Sequence, residues 1–121
     1  MNFVFKKIKR IRFTVEKREE ARILVENRLS VFNKFYKFNI NRIAIKNTTT
    51  RWGSCSSKKN LNFNYKIIYL KPHLADYLIV HELCHLGELN HSKRFWALVS
   101  QTIPDYVKIS KELKGVHINV I

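Results

Sequence analysis

The sequence predicts an α+β fold, and three observations carry that expectation. Stretches that alternate apolar and polar residues stand beside stretches with apolar residues every three or four positions, so both strands and helices are present. They follow in the order strand, helix, strands, helices, which suits a short mixed sheet packed on helices. The 121 residues are 45% hydrophobic and 12% aromatic, enough for one small core and too apolar for a disordered chain.

Residues 3–15 are read as extended, because Ile11, Phe13 and Val15 alternate with Arg12 and Thr14. Residues 16–38 are read as a helix. Ala21, Leu24, Val25, Arg28, Leu29, Phe32, Phe35 and Tyr36 recur at helical spacing. Residues 40–46 alternate again, with Ile43 and Ile45 on one face, and form a strand. Residues 47–59 (NTTTRWGSCSSKK) form a polar loop, and residues 60–70 (NLNFNYKIIYL) return to a strand. Pro72 suits a first helical turn, and the helix that follows runs to about Leu89. Ser92 is an N-cap for a short helix carrying Phe95, Trp96 and Val99. Pro104 opens a last short helix that Gly115 closes, and the apolar tail VHINVI is expected to dock on the body.

Charge is uneven along the chain. Lys and Arg number 23 against 9 Asp and Glu, a net +14. Residues 1–60 hold 16 basic and 4 acidic side chains, whereas residues 61–121 hold 7 and 5. The basic half suits nucleic acid, an acidic surface or simply solvent. No apolar run reaches the roughly 20 residues of a membrane span, so no membrane partner is expected. The first residues lack the continuous apolar stretch of a secretory signal. Cys55 and Cys84 are too few for a disulfide framework, and together these features point to a reducing cytoplasm.

The sharpest signal is His81-Glu82-Leu83-Cys84-His85, an HExxH pattern within a predicted helix. With five His and seven Glu among 121 residues it arises by chance in roughly one such chain in a hundred. Residues four apart lie one above the other on a helix face, so two imidazoles converge on one ion. Glu82 points beside that ion, where it can take a proton from water the metal has acidified. A catalytic zinc needs a third protein ligand. His91 lies six residues beyond His85, with Gly87 and Asn90 to turn the chain back, and Glu88 is its rival. The HExxHxxxxxH spacing matches the metzincins, but Gly87 is one place early and Met1 is the only methionine, so their Met-turn is absent. Three imidazoles suit zinc, and also copper, nickel or iron. Cys84 reads as a packed thiol, Cys55 as a free thiol in the loop, and His73 and His117 as incidental. Asp76 is either an orienter of a ligand histidine or an ordinary charge near a helix N-terminus.

The pieces RWGSC (Arg51–Cys55), LNFN (Leu61–Asn64), DYLIVHELCHL (Asp76–Leu86), NHSKRFW (Asn90–Trp96) and PDY (Pro104–Tyr106) resemble the YgjP-like family of zinc metallopeptidases. That family belongs to the zincin clan, with the SprT-like and WLM proteins. The resemblance runs over residues 48–113 and covers about half of the chain. It implies a single zincin-like domain over 1–121, with an N-terminal helix, a short mixed sheet, the HExxH helix beneath a cleft and two short helices. It implies one zinc ion held by His81, His85 and His91, with Glu82 as general base. It sets the RWGSC loop near the cleft, making Arg51, Trp52 and Asn64 candidates for substrate contact. Arg51 suits a carboxylate, a phosphate oxygen or a developing oxyanion. Phe95 and Trp96 are expected to pack the ligand loop from behind. Relatives carry a longer N-terminal β-rich region than the 15 extended residues expected here.

A zinc-dependent hydrolase, in first place a peptidase acting on a peptide or protein, is the expected function. A sheet edge at residues 60–66 would align an extended peptide by adding it as a strand. Two alternatives stand beside it: hydrolysis of a nucleotide or other phosphoanhydride at the same metal, and a basic nucleic-acid-binding module with a structural or vestigial zinc. The second lacks zinc-finger spacing and an aromatic RNA-binding signature.

Overall fold

The structure is a computed structural model and describes residues 12–118. Residues 3–11 of the expected N-terminal extended segment lie outside the described residues. The extended reading ends early in any case, because helix α1 (Val15–Tyr36) begins at Val15. Thr14 caps it, its hydroxyl accepting from the Lys17 N–H. The helix ends at Lys37, which takes a left-handed conformation (φ 60°) and donates its N–H to the Asn33 carbonyl. The Asn33 side chain holds both backbone groups of Phe38, fixing the turn.

Three strands follow: β1 (Arg42–Lys46), β2 (Gly53–Cys55) and β3 (Asn60–Asn64). Their order is β1-β3-β2, with β1 parallel and β2 antiparallel to β3. β3 is therefore the central strand, not an edge, and the expectation that residues 60–66 offer a free edge is corrected. β2 lies inside the stretch read as a polar loop. Its three residues (Gly, Ser, Cys) have no strand pattern of their own, and pairing with β3 makes them a strand. The expected strand over 60–70 also stops at Asn64. Its side-chain oxygen accepts from the Lys66 N–H and starts a 3-10 helix over Tyr65–Tyr69.

Helix α2 (Pro72–Cys84) starts with proline at its first position, as expected, and runs through the middle of the molecule. Nine of its thirteen residues are buried, among them Leu74, Tyr77, Leu78, Ile79, Val80 and Leu83. A helix buried on nearly all sides needs no polar face, which explains the apolar run ahead of His81. Two short helices close the fold, α3 (Lys93–Ser100) and α4 (Tyr106–Lys114). Ser92 caps α3 as read, its hydroxyl accepting from the Phe95 N–H. Gly115 ends α4 with φ −79°, an ordinary helical value.

One core joins these elements, from Ala21, Val25 and Leu29 of α1 through Leu61 and Phe63 of β3 to Phe95 and Val99 of α3. Arg28, which falls on the apolar stripe of α1, grips Asp76 of α2 with two hydrogen bonds of 2.7 and 2.8 Å. This fork occupies Asp76, which therefore clamps α1 to α2 and orients no histidine. At the other end of α1 the Tyr36 hydroxyl donates to the Leu98 carbonyl at 2.6 Å. The described part of the apolar tail docks as expected, since Ile118 is buried and its carbonyl accepts from the buried Lys66 Nζ at 2.8 Å; residues 119–121 lie outside the described residues. No helix among the described residues is long and apolar enough to cross a membrane.

Candidate active site

His81 and His85 lie on the last turn of α2 and at its C-cap. The helix was expected to continue to Leu89. Instead the chain tightens: the His85 N–H bonds to the Glu82 carbonyl, and those of Gly87 and Glu88 both bond to the Cys84 carbonyl. His85 keeps helical dihedrals, so it still stands over His81. The turn that follows fits because residue 87 is glycine. A Cβ there would lie 2.8 Å from Phe38 Cζ and 3.2 Å from Leu98 Cδ1. Beyond it the chain returns to Ser92, and His91 meets the other two rings.

The three rings present their Nε2 atoms to one another. His91 Nε2 is 3.1 Å from His85 Nε2 and 3.2 Å from His81 Nε2. Their ligand atoms all lie within 4.8 Å. The partners at the far side of two rings fix the tautomers. His85 Nδ1 faces the Glu88 carbonyl at 2.9 Å, and His81 Nδ1 faces Glu82 Oε2 at 3.1 Å. Both acceptors take an N–H on Nδ1, the tautomer that keeps the Nε2 lone pair for a metal. Three ring nitrogens converging on one point fit a cation between them. Four ligands at about 2.0–2.1 Å around tetrahedral zinc stand about 3.3 Å from one another, close to the 3.1 and 3.2 Å seen here. The residues fit a zinc ion. Burial pushes the His85 imidazole below its ordinary range, with the Glu88 carbonyl drawing it partly back. Burial lowers His91 as well, and positive charge on His81 and His85 would lower it further. Both effects favour the neutral form a metal needs. Glu88, the rival third ligand, turns its carboxylate towards Arg94, 3.9 Å away.

All three rings pack on one buried phenyl group. The Phe95 ring centre lies 4.3 Å from that of His85 and 5.1 Å from those of His81 and His91. Trp96 stacks on the outer face of His91 at 5.8 Å, and Tyr106 stacks on Trp96 at 5.0 Å. Phe95 and Trp96 thus back the ligand loop, as the sequence led us to expect.

Glu82 is buried at the floor of a cleft of about 650 Å³. Strand β2 forms the adjoining wall, and its approach is close. A Cβ on Gly53 would lie 3.0 Å from Glu82 Cγ and 2.9 Å from the Asn62 carbonyl oxygen. Arg51 and Trp52 line the same cleft with His81 and His91. Asn64 does not. It is buried, and its amide donates to the Thr48 carbonyl (2.7 Å), the Thr48 hydroxyl (3.1 Å) and the Arg51 carbonyl (3.1 Å). It shapes the loop that carries Arg51 and Trp52. Cys55 ends β2, and burial together with the Glu82 charge pushes its thiol up to about 11. Cys84 is fully buried, with its thiol also pushed up to about 11 by burial. His73 pairs with Glu112 at 2.8 Å. His117, read as incidental, lines the cleft with Lys114 and the tail. That wall comes from the far end of the chain, and only the apolar tail hinted at it.

Comparison with known proteins agrees with this geometry. The YgjP-like metallopeptidase domain matches residues 6–115. The chain belongs to the YgjP-like family. The match spans 110 of the 121 residues, well beyond the half covered by the short motifs. As a metallopeptidase domain, the chain is a hydrolase of the peptidase kind. Two solved structures share the fold. The metallopeptidase zymogen of Pyrococcus abyssi abylysin aligns with TM-score 0.66 and 20% identity, covering 74% of this chain and 90% of that one. The metallopeptidase zymogen of Methanocaldococcus jannaschii jannalysin aligns with TM-score 0.54 and 26% identity, covering 77% and 96%. No curated protein matches the chain.

Proposed function

We propose that the chain is a zinc-dependent peptidase of the cytoplasm in which His81, His85 and His91 hold one zinc ion and Glu82 is the general base. The convergence of three Nε2 atoms beside a buried carboxylate carries this reading. A zinc ion bound there supplies Lewis-acid chemistry, polarising a carbonyl oxygen and acidifying water. The Glu82 carboxylate takes the proton lost when water attacks the peptide carbonyl, and delivers it to the amine as the C–N bond breaks. Oε2 is engaged by His81 Nδ1, which leaves Oε1 to carry that proton. The same contact holds the His81 ring and its tautomer. Among the described residues β2 is an edge strand beside Glu82, so an extended peptide aligns there by main-chain hydrogen bonds.

Arg51 and Trp52 serve substrate contact, and Asn64 serves it indirectly by holding their loop. Among the described residues Arg51 is the one cation of the basic half that lines the cleft. The other described basic residues of that half do not line it, so the nucleotide and nucleic-acid readings gain no further support from the site. Two free thiols agree with a reducing compartment. Replacing Glu82 with Gln tests the mechanism. We expect zinc content to persist and turnover of an unfolded protein substrate to fall by about 10²–10⁴-fold. Turnover near the parent rate would remove Glu82 from the chemistry.

A further inference from the structure

We infer that the cleft selects peptides bearing a carboxylate next to the scissile bond, held between Arg51 on one wall and Lys114 on the other. This deepens the peptidase reading and rests on it. The two cations come from distant parts of the chain, the loop before β2 and the last residue of α4, yet both line the one cleft. Neither takes part in an ion pair among the described residues. The acidic residue lining the cleft is Glu82, at its floor, where His81 already engages it. An incoming carboxylate therefore meets two cations that pair with none of the described acids. The walls between them are largely apolar, with Trp52, Trp96 and Leu113 among them, which suits the hydrocarbon stem of a peptide. A lysine-bearing peptide would meet the same two cations and be repelled.

The carboxylate can belong to an acidic side chain or to a free C-terminus, and the test separates them. The probes are short peptides with amidated C-termini that differ only in Glu, Gln or Lys at one position, and a neutral peptide with a free C-terminus. Binding is read on the zinc-loaded Glu82→Gln protein by intrinsic fluorescence, because both tryptophans of the chain line the cleft. We expect at least one carboxylate-bearing peptide to bind about tenfold more tightly than its neutral counterpart, and the Lys peptide more weakly than either. Arg51→Glu and Lys114→Glu should each remove most of that preference. Arg42→Glu, on strand β1 and away from the cleft, should leave it unchanged. A preference lost equally with Arg42→Glu would reduce the effect to overall charge and overturn the inference. So would equal binding of all peptides, or of none, even where the parent enzyme cleaves an unfolded protein, a result that keeps the peptidase reading. Adenosine triphosphate binding more tightly than any peptide would overturn it in favour of a phosphate ligand. Carboxylate-selective binding without any turnover by the parent would instead uphold the inference as binding and sink the catalytic reading.

Discussion

Changing Gly53 to Ala should disable the chemistry while leaving the metal site intact. The added methyl group would stand 2.9 Å from the Asn62 carbonyl oxygen and 3.0 and 3.2 Å from Glu82 Cγ and Oε2. Ordinary contact begins at about 3.4 Å, so roughly 0.5 Å must be found. The carbonyl belongs to β3, which is paired on both sides and cannot yield alone. Either β2 lifts from the sheet or the Glu82 carboxylate moves from its place. Overpacking of this kind costs about 1–3 kcal/mol, a fall in Tm of roughly 5–15 °C for a domain this small. A catalytic group displaced by part of an ångström to an ångström loses up to about 10²-fold in rate. No histidine atom is among the three nearest to that methyl group, so the strain reaches the metal site only through the Glu82–His81 contact, which leaves the Nε2 atoms free to hold the ion. Elemental analysis of zinc, a thermal melt and kcat on an unfolded protein substrate give the three readouts. Zinc should stay at the parent level while kcat and Tm fall. Gly115→Ala serves as a control, because its methyl group would meet a single atom, at 3.3 Å. A Gly53→Ala protein with parent kcat and Tm would refute the argument that β2 presses on Glu82.

Phe95→Leu keeps an apolar side chain but removes the ring on which the three imidazoles rest. We expect zinc affinity to fall by about 10-fold in competition with a chromophoric chelator, and unchanged affinity would show that Phe95 only fills the core. Cys55 and Cys84 have thiols pushed up to about 11, so they stay neutral well above physiological pH. At pH 8 about one in a thousand of each is thiolate, against about one in four for an ordinary cysteine. Reaction with a disulfide reagent at pH 8 should therefore be roughly 20-fold slower than in the unfolded chain, the loss of thiolate outweighing the higher nucleophilicity of a raised thiol. Glu82→Gln should speed Cys55, whose thiol the Glu82 charge helps to raise, and leave Cys84 unchanged. Fast labelling of Cys84 in the folded protein would contradict its burial, and fast labelling of Cys55 would contradict its raised thiol.

Much of the site could be read in the sequence because it is local. His81, Glu82 and His85 share one helical turn, and helical geometry alone brings them together. Ser92 and Pro72 mark helix starts by rules of the backbone. What escaped is what depends on distant partners. β2 is a strand only because β3 pairs with it, and nothing in Gly53, Ser54 and Cys55 announces a pairing. The apolar pattern beyond Cys84 continues through Leu86 and Leu89, but the chain leaves the helix there to bring His91 back. Asn64 ends the alternation of β3 by capping the turn that follows, a role its residue type permits but does not demand. The cleft wall formed by Lys114 and His117 comes from packing α4 and the tail against α2, across more than thirty residues of chain. Arg28 broke the apolar stripe of α1 for a reason visible only once Asp76 lay opposite it.

The central claim is the three-histidine zinc site, and the most direct test is the metal content of the purified protein and of its His91→Ala variant. His91 is exposed on a loop outside every helix, so the variant should keep the fold, which circular dichroism checks. The account predicts one equivalent of zinc in the parent and a clear loss in the variant. A parent that holds no stoichiometric metal after zinc is offered, or a variant that holds it as well as the parent, would contradict it.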